Sequence, residues 1–141
     1  MSTVPYLIGF VLALASVALS SLIRLERRTF YTTVLIVVAT YYILFAVMGG
    51  SSRALVIESL VAGLFVLFAA IGFRTHLWIV ATGLALHGAQ DFVHGAFVMN
   101  AGVPNWWPAF CGSYDVAAAI ALMWLIRRQP ARSASHLKAA L

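Results

Sequence analysis

Glu58, Asp91 and Asp115 are three of only four carboxylates in the chain, and each falls in a stretch otherwise apolar enough to lie within a bilayer. His87 and His94, two of the four histidines, do the same. A carboxylate at the centre of a membrane helix costs about 2.5–3.5 kcal/mol on insertion scales, so such residues face a cavity, a partner or a substrate path. His87, Asp91 and His94 are spaced i, i+4 and i+7, on one stripe of a helix. Gln90 borders that stripe and reads as an interhelical hydrogen-bonding residue.

Asp91 and His94 stand at i, i+3, the spacing at which bundle helices offer a carboxylate and an imidazole to one ion. Glu58 and Asp115 complete the expected ligand set of Glu58, Asp91, His94 and Asp115. Carboxylate oxygen and imidazole nitrogen suit a divalent zinc, iron or manganese ion better than copper(I), and an open position would activate water for hydrolysis or oxidation. His87 lies about 10 Å along the axis from His94, so it is expected beside that ion, supporting a ligand or acting as general base.

The same five residues also support metal-free acid and base catalysis, such as isomerisation or cyclisation of a membrane-dissolved lipid or isoprenoid. A third reading is non-catalytic: a proton or ion relay, or a receptor for a lipophilic ligand. Three buried carboxylates cannot all stay ionised without compensation, so protons, a cation or both must be present. A purely structural network is the plainest alternative, but apolar residues in place of these groups would normally stabilise a bundle, which favours function. Cys111 reads as a small packing residue, with a thiolate role as the lesser alternative. Tyr41, Tyr42 and Tyr114 read as packing residues with a polar tip.

The elements that must position these groups follow from composition. The 141 residues are 63% hydrophobic and 9% charged, with a mean hydropathy of +0.98, a combination that no ordinary soluble surface can carry. Five apolar stretches, roughly Val4–Ile23, Phe30–Met48, Ala54–Phe73, Leu77–Val98 and Phe110–Ile126, predict an all-α integral membrane bundle of five transmembrane helices. The first is expected as a retained helix, since no basic residue precedes it. Residues 1–129 form the transmembrane domain, and 130–141, with Arg132, His136 and Lys138, a short cytoplasmic tail.

The net charge of +5 sits at span boundaries and speaks for anionic lipid rather than nucleic acid. Arg24, Arg27, Arg28, Arg74, Arg127 and Arg128 fall at one level with Arg132 and Lys138, and Arg53 alone at the other, which predicts N-out/C-in topology, in a bacterial inner membrane. With that orientation the polar residues share one level of the outer leaflet, walled by the third, fourth and fifth spans, and the cytoplasmic halves are almost wholly apolar. Gly83, Gly88, Gly95 and Ala117 to Ala119 permit close helix packing around them. Trp106 and Trp107, between Pro104 and Pro108, read as an interfacial aromatic anchor, with a lid as the sharper alternative. The single cysteine excludes an intrachain disulfide. No phosphate loop or nucleophile elbow is present. The small size suits a homodimer, and the expected partners are membrane lipid and a hydrophobic small-molecule substrate.

The string His87-x-x-x-Asp91-x-x-His94, followed by Pro104-x-x-x-Pro108-x-x-Cys111-x-x-x-Asp115, resembles a family of small bacterial integral membrane proteins of unknown function. The resemblance covers spans three to five. It implies an acidic residue on the third span, where Glu58 stands, and a shared site. Gln90 and Gly95 occupy positions where that pattern has an aromatic residue and a second histidine.

Overall fold

The structure is a computed structural model that describes residues 2–128. The expected tail, with Arg132, His136 and Lys138, lies outside the described residues. The described residues form five helices: α1 (Val4–Leu22), α2 (Arg27–Met48), α3 (Ser52–Arg74), α4 (Leu77–Phe97) and α5 (Trp107–Arg127). Each matches an expected span to within a few residues. α5 begins earlier than expected because Pro108 fits its first turn, where a missing N–H costs nothing. Ser51 caps α3, its hydroxyl accepting from Ala54 N at 3.2 Å.

The helices are 19 to 23 residues long, which at about 1.5 Å per residue matches a hydrocarbon core of about 30 Å. Four of them, α1, α2, α3 and α5, are long and apolar enough to cross a membrane. α4 has the same length, 21 residues, and differs by carrying the polar stripe.

Short connections make successive helices antiparallel. α2 packs on α3, α4 on α5 and α1 on α5, with α3 against α4 joining the two halves. α1 buries only Gly9, Ala13 and Ser20, and Gly9 sits so close to the Phe110 carbonyl that no larger side chain fits. Most of the rest of α1 is exposed and apolar, a surface that only lipid solvates well. α4 and α5 approach closely at Gly88 and Gly112. A Cβ on Gly88 would lie 3.0 Å from the Gly112 carbonyl oxygen, so small residues here let the two helices press together at the level of the polar groups.

The bundle therefore has two unlike ends. At the site end, α2 and α4 finish while α1, α3 and α5 begin. At the far end the core is mainly apolar, with Leu35, Ala69, Val80, Leu84 and Leu122 fully buried and only the hydroxyls of Tyr31, Thr32 and Ser20 among them. Arg28 there donates to the carbonyls of Gly72, at 3.1 Å, and Phe73, satisfying the open end of α3. Arg127 sits over the Trp78 ring at 5.6 Å, tying α5 to the start of α4.

Candidate functional site

All five ionisable residues singled out from the sequence are buried at the site end, none more than 3% exposed. They form two groups. In the deeper one, His87 Nδ1 lies 2.6 Å from Asp115 Oδ2 and 3.7 Å from Asp91 Oδ2. Facing a carboxylate at that distance, Nδ1 carries the proton and donates. Tyr42 OH donates to Asp91 Oδ1 at 2.6 Å, and Cys111 Sγ donates weakly to Asp115 Oδ2 at 3.8 Å. His87, Asp91, Cys111 and Asp115 each offer one ligand atom, all within 4.8 Å of one another.

The shallower group joins His94 to Glu58, with Nε2 2.8 Å from Oε1. Asn100, in the connection between α4 and α5, donates from Nδ2 to the same Oε1 at 3.0 Å and to the Tyr42 carbonyl at 3.2 Å. Tyr42 links the two groups. Its ring stacks on His94 with centroids 4.1 Å apart, while its hydroxyl reaches Asp91.

The expected pairing of Asp91 with His94 on one ion is not what the side chains form. Three residues along a helix change heading by about 60°, which turns Asp91 toward Tyr42 and His87 while His94 faces Glu58 on α3. Asp91 and Asp115 lie together in the deeper group. Glu58 and His94 leave that set, and their places are taken by His87, expected beside the ion, and Cys111, expected as packing. Gln90 does not make the expected interhelical bond; its Oε1 is buried without a partner.

Sequence reasoning missed three contributors. Cys111 was legible in its i, i+4 spacing from Asp115, which places both on one face of α5. Tyr42 differs from Tyr41 by one helical step, which turns Tyr42 to the interior and leaves Tyr41 at the surface. Asn100 had no signal, since a loop has no period. The tryptophan pair is divided: Trp106 is 52% exposed, as an interfacial anchor would be, whereas Trp107 is 9% exposed, its ring 4.7 Å from Tyr41 and 4.9 Å from Phe45.

The deeper group fits a metal ion by its donors. Ligands 2.0–2.3 Å from a tetrahedral ion stand about 3.3–3.8 Å apart, close to the 3.7 and 3.8 Å observed. The 2.6 Å His87–Asp115 contact would open by roughly 1 Å as the ion replaced the shared proton. Asp91 Oδ2 and Asp115 Oδ1 are buried without hydrogen-bond partners, an expensive state in a protein interior that a cation would relieve.

Two openings reach these groups. A cleft of about 430 Å³ between α1, α2 and α5 is lined mainly by apolar side chains and has Cys111 in its wall. A second, more polar depression at the α4–α5 connection includes His94, Asn100 and Ser51. Comparison with protein-family models, curated proteins and solved structures finds no match to this chain, so the geometry of the two groups is what identifies the site.

Proposed function

We propose that this protein is an integral membrane enzyme that acts on a lipophilic, membrane-dissolved substrate through a divalent metal ion held by His87, Asp91, Cys111 and Asp115. The observation that carries the reading is a buried four-donor group with two unpartnered carboxylate oxygens in contact with an apolar cleft. Thiolate and imidazole among the donors favour zinc or iron over manganese. Bound there, the ion would act as a Lewis acid and lower the pKa of a water or substrate oxygen. Glu58 and His94 serve as the acid and base pair nearer the polar depression, positioned by Asn100.

In this reading α4 is a fifth span. Its polar stripe faces its neighbours, while Trp78, Leu86, Phe92 and Val93 are exposed and would meet lipid. Arg24, Arg27, Arg74, Arg127 and Arg128 at the far end, opposite Arg53, support an N-out/C-in topology by the positive-inside rule, and a bacterial inner membrane is the location this reading assigns. Supporting an enzyme over a transmembrane ion path is the far half of the bundle. Between Leu35, Ala69, Leu84 and Leu122 the inner halves of α2 to α5 carry no carboxylate or imidazole, and a relay needs such groups throughout.

The test is turnover in proteoliposomes made from bacterial membrane lipid, with lipid species profiled by mass spectrometry for wild type and Asp115→Asn. A species consumed by wild type alone is expected. Identical profiles from fully metal-loaded wild type and Asp115→Asn, together with proton flux in wild type, would replace the enzyme by a relay.

A further inference from the structure

The apolar cleft has a length, and basic residues next in sequence to its far-end lining, that point to its occupant. Along α2 its wall runs from Thr29 to Tyr41, twelve helical steps or about 18 Å parallel to the helix axes. That exceeds the roughly 15 Å depth of one leaflet's hydrocarbon. Between α1 and α2 it is lined by Val34, Val37 and Leu12, the side that would meet lipid in a bilayer. Leu25 and Thr29 line its far end, and the neighbouring Arg24 and Arg27 are exposed. Glu26, the one acid beside them, accepts from the Thr29 hydroxyl at 2.5 Å and offsets one of the two charges, leaving a net positive charge. Arg24 holds φ at 57°, a conformation costly for any side chain except glycine's and tolerated best by asparagine or aspartate. An arginine at this turn puts a cation at the mouth.

We infer that the cleft seats one acyl chain of an anionic phospholipid, with the phosphate at Arg24 and Arg27 and the chain extended along α2 and α5 so that its distal part reaches Cys111. The inference rests on the proposed reading of the buried centre and narrows its substrate. An 18 Å reach separates the headgroup from the centre, so what is presented to His87, Asp91, Cys111 and Asp115 is the distal acyl chain, and the substrate oxygen of the proposed chemistry is one carried there rather than one of the headgroup. The hydroxyls of Ser16 and Tyr114, 3.0 Å apart, satisfy each other in the cleft wall, leaving a surface suited to methylenes.

The experiment uses phosphatidylglycerol carrying a diazirine near the end of one acyl chain, reconstituted with the full-length protein, irradiated, and mapped by peptide mass spectrometry. Labelling concentrated on Phe110, Cys111 and Tyr41 is expected, with a loss of about tenfold in Arg24→Gln/Arg27→Gln, each arginine contributing a modest attraction to an anionic headgroup. Val34→Trp, which fills the cleft from the lipid-facing side, should abolish it, and a matching phosphatidylcholine probe should label the cleft no better than the arginine variant does. Equal labelling of Leu60 and Leu64 on the outer face of α3, or equal labelling by the two headgroups, would overturn the assignment. Photolabelling needs no turnover, so Asp115→Asn should label as wild type does. Cleft labelling without lipid turnover therefore counts against the enzyme alone, and turnover without cleft labelling counts against this inference alone.

Discussion

The two carboxylate and imidazole groups at the site end use the same residue types and are completed differently. Glu58 and His94 are finished by an amide, with Asn100 donating to the oxygen that also meets His94. His87, Asp91 and Asp115 are finished by a thiol and a phenol, and two of their oxygens remain without partners, against one, Glu58 Oε2, in the first group. The first group is a hydrogen-bonded pair beside a polar depression. The second has the donor number and softness of a metal centre. Proximity of acids and histidines is therefore a weaker signal than the identity of the neutral groups around them.

The comparison can be broken by substitutions whose effects should fall in a definite order. Asp91→Asn should reduce lipid turnover to background and metal affinity by more than about 100-fold, since even residues behind metal ligands contribute 10–100-fold. Turnover assays and metal titration read both effects. Glu58→Gln should leave metal content as in wild type and lower turnover by about 100-fold, the scale of one general acid or base. Loss of metal in that variant would merge the two groups into one. Tyr42→Phe removes the donor to Asp91 and should weaken metal binding by about tenfold, the low end for a residue orienting a ligand, as measured by competition with a chelator. Asn100→Ala should cost about 1 kcal/mol of stability in detergent unfolding with little change in metal affinity.

Much of the scaffold was legible because the physical signals are strong. Apolar runs of about 20 residues admit few alternatives to membrane helices, and the i, i+4, i+7 stripe on α4 fixed which face turns inward. The common level of Glu58, Asp91, His94 and Asp115 followed from helix rise alone, and the observed contacts bring them to one end of the bundle. The partition into two groups did not follow. It depends on which neighbour each side chain meets, and a shift in heading of about 60° between Asp91 and His94 decides that. Cys111 was discounted because a lone cysteine is more often a packing residue than a ligand, although its i, i+4 spacing from Asp115 already put both on one face of α5. Asn100 acts from a loop that folds back on α2 and α3, a contact that no periodicity announces.

The most direct measurement is the metal content of detergent-purified wild type, Asp115→Asn and His94→Ala, determined by elemental mass spectrometry after growth with zinc and iron. About one ion per chain is expected in wild type and in His94→Ala, and less than about a tenth of that in Asp115→Asn, where a direct ligand is lost. Absence of metal from all three, or its loss from His94→Ala and retention in Asp115→Asn, would contradict a metal centre at His87, Asp91, Cys111 and Asp115.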